Sequence, residues 1–319
     1  MAPPDFRKDK HFRKDQRSKG PHPKSPKGGA KGGRSPFRPG KPAQPGKSQP
    51  GKPQHGKPKF PPAPAAQARP PRLDRPGRSE NWLYGLHAVQ AALANPRRKL
   101  GRALLTPRAA ETIGPELLCR VRAETMDPEA IAKFLPFGAV HQGAALETGP
   151  LPPIDLEALL DRPTQGRRVV LVLDQLSDPH NVGAILRSAA AFGVTAVVVQ
   201  DRNAPPQSGA LAKAASGALD LIPYVEVVNI ARALDQLSAR GFWRIALAGD
   251  GEQTLAEAIP AGDVAIVLGS EGDGIRRLVR ERCEAVAFIP IEGAMESLNV
   301  SNAAAVALYE LRRNQASGN

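Results

Sequence analysis

Three stretches of the 319-residue chain carry polar groups at spacings that suit chemistry. The first runs Asp174-Gln-Leu-Ser-Asp178-Pro179-His180-Asn181-Val-Gly183 and continues to Arg187. An apolar strand ends at Leu173, a polar turn follows, and a helix is expected from about Val182 with Asn181 as its N-cap. Arg187 comes nearly two turns later and does not stand directly above Asn181. Both nevertheless lie near the carboxyl end of a strand, where open α/β sheets bind ligands. Taken alone, this stretch is better read as a capped surface helix with its arginine facing water.

The second stretch, Val267-Leu268-Gly269-Ser270-Glu271-Gly272-Asp273-Gly274-Ile275, takes an apolar strand into a glycine-rich turn. Such turns let backbone amides approach a ligand closely. The spacing G-x-x-G-x-G is neither the dinucleotide fingerprint nor a Walker loop. Glu271 and Asp273 argue against phosphate and for a neutral or cationic ligand. In the third, Phe288-Ile289-Pro290-Ile291 leads through Glu296-Ser297-Leu298-Asn299-Val300-Ser301-Asn302 into an alanine-rich final helix. Ser297, Asn299 and Ser301 offer donors and acceptors, and Ser301 or Asn302 also suits an N-cap.

These stretches need a scaffold, and residues 165–315 alternate strand and helix. Apolar strands are expected at 168–173, 194–199, 222–228, 244–248, 264–268 and 285–291, with helices between them and a last helix over 302–312. Strands this uniformly apolar imply a parallel sheet covered on both faces, an α/β fold. Residues 80–148 read as a smaller α/β unit: a helix over 83–93 ended by Asn95-Pro96, strands near 102–106 and 141–146, and helices at 115–122 and 128–134. The proline-rich stretch within 149–164 reads as a linker.

Residues 1–80 hold 21 Lys and Arg against 5 Asp and Glu, whereas the remainder holds 23 against 26. All of the excess positive charge therefore lies in the first quarter. Only Met1, Phe6, Phe12, Phe37, Phe60 and Leu73 there are large apolar residues. These cannot offset the ordering entropy of the segment, so residues 1–79 are expected to form a disordered Lys/Pro/Gly-rich basic arm. A row of cations of this kind binds nucleic-acid backbones without reading sequence. No apolar run is long enough for a membrane span, and the N-terminus lacks the apolar region of a secretory signal. Cys119 and Cys283 are too few for a disulfide framework or a cysteine zinc site. A cytoplasmic protein without membrane or metal is expected.

Together, in this order, the three stretches resemble the SPOUT superfamily of RNA methyltransferases, in its TrmH/SpoU ribose 2'-O branch. The residues that carry the resemblance are Asn181-x-Gly183-x-x-x-Arg187, Leu268-Gly269-Ser270-Glu271-Gly272, and Ile289-Pro290-Ile291 with Ser297-Leu298-Asn299-Val300-Ser301. Tyr84-Gly85-Leu86-His87-Ala88-Val89 through His141-Gln142-Gly143 is similar to the L30e-like substrate-binding domain of rRNA-modifying members. The resemblance implies a deep trefoil knot in the C-terminal domain, a homodimer, and S-adenosylmethionine as methyl donor without a metal. It further implies transfer to a ribose 2'-hydroxyl, with guanosine in 23S rRNA favoured over tRNA.

By the same resemblance Arg187, Asn181, Glu271, Ser297 and Asn299 are the catalytic set, and Gly269, Ile289 and Leu298 hold the adenosyl group. A guanidinium keeps its proton, so Arg187 is read as a phosphate clamp and alkoxide stabiliser. Phosphate, water or a carboxylate such as Glu271 then takes the proton. Two other readings stay open: a non-catalytic RNA-binding or ribosome-assembly factor, and a doubly wound nucleotide-binding enzyme, which would lack its phosphate fingerprint.

Overall fold

The computed structural model describes residues 82–317, and the basic arm expected over 1–79 lies outside the described residues. The chain opens with β1 (Trp82–Tyr84), α1 (Leu86–Ala94), β2 (Leu100–Leu105), α2 (Pro107–Ile113), α3 (Pro115–Leu118), β3 (Arg122–Thr125), α4 (Pro128–Ala132) and β4 (Ala144–Thr148). These strands form a four-stranded sheet in the order β1-β4-β2-β3, with only β2 and β3 parallel. A short helix, α5 (Leu156–Leu160), capped by Asp155, occupies the stretch read as linker. Its Leu156, Leu159 and Leu160 are buried, which anchors that segment to the larger sheet.

The larger sheet is built from β5 (Val169–Leu173), α6 (Pro179–Ala191), β6 (Ala196–Gln200), α7 (Gly209–Ala215), α8 (Ala218–Leu221), β7 (Tyr224–Val227), α9 (Ile230–Ser238) and β8 (Trp243–Leu247). It continues with β9 (Gln253–Thr254), α10 (Leu255–Ala258), β10 (Val264–Leu268), α11 (Arg277–Arg280), β11 (Ala285–Phe288) and α12 (Val300–Ser317). Seven strands lie in the order β7-β6-β5-β10-β8-β11-β9, and every pairing is parallel. Alternation along β5 explains the layering. Val169, Leu171 and Leu173 join one apolar cluster, while Val170 and Val172 join the cluster on the opposite face. β10 divides in the same way, Val264, Ile266 and Leu268 against Ala265 and Val267. The expected parallel α/β sheet with both faces covered is what the chain forms.

The helix carrying the first motif starts earlier than its sequence spacing predicts. Asp178, not Asn181, is the N-cap of α6, accepting from the amides of His180 at 3.1 Å and Asn181 at 3.4 Å. Pro179 takes the first helical position, where its missing donor costs nothing. Gly183 serves packing: a Cβ there would lie 2.4 Å from the Ala214 Cβ on α7. At the other end of the chain α12 begins at Val300, two residues before the expected start. Asn299 therefore stands where Ser301 or Asn302 was expected to cap, accepting from the Ser301 amide at 2.9 Å. Val300, Ala304, Ala307, Leu308 and Leu311 bury one face of α12 in the core. Among the described residues no helix is long and apolar enough to cross a membrane.

Candidate active site

The carboxyl ends of β8, β10 and β11 open onto a cavity of about 810 Å³. Its walls come from residues 247–250 at the end of β8, residues 268–275 at the end of β10, Ile289, Ile291 and residues 295–299 between β11 and α12, and Val300 and Ala303 of α12, with Arg280 of α11 at one side. The volume lies in the usual range of ligand pockets, about 300–1,000 Å³. Its polar character is acidic: Asp250, Glu271, Asp273 and Glu296 all line it. Arg280 ion-pairs with Asp250 at 2.7 Å, and its guanidinium holds the Asp250 carboxyl below the usual carboxylate range.

The glycine loop after β10 folds back on itself. Ser270 and Gly274 exchange backbone hydrogen bonds of 3.2 and 3.1 Å, and Gly272 and Gly274 take positive φ, 100° and 66°. Only glycine adopts such angles without strain. Gly269 is required for a different reason, because a Cβ there would lie 2.3 Å from the Gly274 carbonyl carbon. The fold of the loop turns the Glu271 side chain towards α6 and the entry to α12.

There the three motifs meet. Asn299 Nδ2 donates to Glu271 Oε1 at 2.7 Å and to Asn181 Oδ1 at 3.1 Å. Asn181 Nδ2 donates to the same Glu271 oxygen at 3.3 Å. The Oδ1 of Asn299 caps α12 through the Ser301 amide and hydroxyl, so one side chain links all three polypeptide stretches. Glu271 Oε2 accepts no hydrogen bond among the described residues and stays open to a further donor. Of the expected site residues, Gly269, Glu271, Ile289, Ser297, Leu298 and Asn299 line the cavity, and Asn181 joins it through its amide. Arg187 does not. It stands exposed on α6, outside the cavity lining, with no hydrogen-bond or ion-pair partner among the described residues.

One residue at this edge, which opens the first motif stretch, is given no role by motif reasoning. Asp174, the residue after β5, is fully buried and ion-paired to Arg276 at 2.6 Å. Its only local signal is an acidic residue directly after the run Val-Val-Leu-Val-Leu, where the sheet ends. Among the described residues no group of three His, Cys, Asp or Glu side chains is arranged to hold a metal ion.

Residues 168–309 match the SpoU rRNA Methylase family. The chain is 36% identical over 248 residues to a 23S rRNA (guanosine-2'-O-)-methyltransferase RlmB of Vibrio vulnificus, covering 74% of this chain and 97% of that one. It is 38% identical over 238 residues to the enzyme of the same name from Pseudomonas putida, covering 72% and 95%. In fold it is similar to the SpoU methyltransferase AviRb of Streptomyces viridochromogenes, solved with the cofactor AdoMet. That match has a TM-score of 0.63 at 22% identity, over 75% of this chain and 91% of that one. The alignments to the two relatives run nearly the full length of each, 97% and 95%. On these matches, and on the motifs joined at the cavity, the chain belongs to the SpoU rRNA methylase family.

Proposed function

We propose that the protein transfers the methyl group of S-adenosylmethionine to the ribose 2'-hydroxyl of a guanosine in 23S rRNA, and does so in the cytoplasm. The observation that carries this reading is the meeting of Asn181, Glu271 and Asn299 beside the cavity, in a chain whose relatives bear that activity in their names. The cavity suits the cofactor chemically. Leu247, Ile289, Leu298 and Val300 offer apolar walls for an adenine ring. The backbone at Gly269, Ile289 and Leu298 offers donors and acceptors to the adenosyl group. Four carboxylates favour a ligand with a cationic sulfonium and an ammonium group. An alanine at Gly249 would meet no atom within 4 Å, so this wall has room for a ligand.

S-adenosylmethionine supplies an already activated methyl group for in-line displacement. The remaining difficulty is a hydroxyl that is barely ionised at neutral pH. Arg187, exposed and unpartnered among the described residues, is free to clamp an RNA phosphate and to stabilise charge developing on the ribose oxygen. It keeps its own proton. Glu271 Oε2, the open carboxylate oxygen of the cluster, serves as acceptor of the hydroxyl proton. Asn181, Asn299 and Ser297 orient the ribose and the loop through their amides and hydroxyl.

The reading extends, through the family, to a knotted C-terminal segment, to RNA binding by the four-stranded unit and to a homodimer. Two features support the dimer. Every residue from Ile291 to Asn299 is exposed although several line the cavity, and Val306 and Tyr309 on the outer face of α12 are 41% and 58% exposed. Light scattering on the full chain is expected to give twice the chain mass, and an active monomer at micromolar concentration overturns this part. The function itself is tested by mapping 2'-O-methyl positions in total RNA from cells with and without the protein. A 23S guanosine methylated only in its presence is the expected result.

A further inference from the structure

We propose that Asp174 and Arg276 form a positioning pair that holds the glycine loop in the shape that brings Glu271 to Asn181 and Asn299. The inference rests on the methyltransferase reading for its consequence in catalysis, but its geometry stands independently. Asp174 grips both ends of the loop. Its amide donates to the carbonyl of Leu268, the last residue of β10, at 2.8 Å. Its Oδ2 accepts from the Arg276 amide at 2.9 Å, just beyond the loop's other end. Its Oδ1 accepts from Arg276 Nε at 2.9 Å and Nη2 at 2.6 Å.

The environment makes this contact consequential. Asp174 has no exposed surface, whereas the Arg276 side chain is 38% exposed and bridges the interior to solvent. A buried carboxylate is tolerated only when paired and hydrogen-bonded, and Arg276, through its side chain and its amide, supplies all three of its donors among the described residues. The chain leaves Asp174 through Gln175 at φ 60°, a left-handed conformation that residues other than glycine and asparagine seldom take. Such strain persists where surrounding contacts over-determine the backbone, and the bonds of Asp174 are the adjacent ones. The same residue thus starts the turn towards α6 and its Asn181, and closes the loop that carries Glu271. Neither Asp174 nor Arg276 lines the cavity, so the pair acts through the loop, not on a ligand.

The experiment compares the full-length protein with Arg276→Gln and with the charge-neutral double variant Asp174→Asn/Arg276→Gln. The double variant leaves no buried unpaired charge and guards against simple failure to fold. Each is made in the Glu271 and Glu271→Gln backgrounds. Amide hydrogen exchange across residues 269–275, thermal unfolding, and calorimetric titration with S-adenosylmethionine are measured on all of them. Exchange at Ser270 and Gly274 is expected to quicken in both variants, with the melting transition of the double variant close to that of the wild type. Cofactor affinity is expected to fall about tenfold in the Glu271 background and by less than about twofold in the Glu271→Gln background, the non-additivity expected of coupled neighbours. Unchanged loop exchange, or an equal loss of affinity in both backgrounds, overturns the proposal. A wild-type protein that binds no S-adenosylmethionine, with the exchange difference present, overturns the methyltransferase reading and leaves the positioning pair standing.

Discussion

Asn299 donates its side-chain amide to Glu271 Oε1 at 2.7 Å while its carbonyl oxygen caps α12. The last helix and the glycine loop are thereby fixed to each other by one residue, although 28 positions separate the two side chains in sequence. Capping and site geometry depend on the same side chain. The two duties need opposite ends of the amide, which only asparagine or glutamine can supply at once.

Substitution separates them. Asn299→Ala is expected to lose the cap, at about 0.5–2 kcal/mol of stability, and to lose methyl transfer with it. Asn299→Asp keeps an acceptor for the Ser301 amide but sets a second carboxylate against Glu271. Thermal unfolding of Asn299→Asp should stay closer to wild type than that of Asn299→Ala, while single-turnover transfer falls in both. An Asn299→Asp protein of full activity would remove Asn299 from the site.

Arg187 supplies the second prediction. Because it stands outside the cavity lining, Arg187→Ala is expected to leave S-adenosylmethionine affinity within about twofold and to slow methyl transfer by about 10²–10³, the scale of losing one preorganised stabiliser of developing charge. Calorimetric titration beside a tritium-transfer assay measures both. Equal losses in the two would mean that Arg187 shapes the pocket or the fold instead.

Much of the scaffold was legible because its strands are short unbroken apolar runs, which only a sheet buried on both faces accommodates. Elements of three or four residues were not. Trp82-Leu83-Tyr84 merges by hydropathy into the helix that follows, and only Gly85, at φ 98°, divides β1 from α1. β3 and α8 fail to stand out for the same reason, since four residues span too little of any period. The α6 cap was legible in principle: Asp178-Pro179 is a cap followed by a first-turn proline, a stronger start signal than Asn181 alone. The three motifs identified the site, but the partnership of Asp174 with Arg276 joins positions 102 apart. It exists only because β5 and β10 are neighbours with Leu173 beside Leu268, and no local pattern reports that register.

A third prediction concerns the joint between the two sheets. Arg98, from the segment between α1 and β2, and Asp220 on α8 form a bidentate ion pair whose side chains are 0% and 1% exposed. Asn95 Nδ2 also donates to Asp220 at 2.9 Å. Asp220→Ala leaves the Arg98 guanidinium buried without its counter-charge and is expected to cost about 3–5 kcal/mol. Replacing both residues together, as Arg98→Met with Asp220→Leu, is expected to recover most of that loss. Denaturant unfolding of the three proteins measures it, and a double variant no better than Asp220→Ala would show that packing rather than charge governs the joint.

The last prediction concerns residues 1–79, which carry 21 Lys and Arg against 4 Asp and Glu. The remaining 240 residues nearly balance, with 23 against 27. Each phosphate neutralised by a cation releases counterions, so the logarithm of affinity falls with the logarithm of salt at about −0.7 per contact for single strands. Removing residues 1–79 is therefore expected to weaken RNA binding at low salt and to flatten the salt dependence, so that the two proteins converge as salt rises. Turnover at saturating RNA should change little, because every proposed catalytic residue lies at Asn181 or beyond. Thermal unfolding of the remainder should also be preserved, since the deleted stretch offers only six large apolar side chains to any core. A segment serving only as a spacer or solubiliser predicts one binding curve for both proteins at every salt concentration. Fluorescence anisotropy with a labelled rRNA fragment, titrated at several ionic strengths, separates the two. Superimposable curves would leave residues 1–79 with no part in RNA capture.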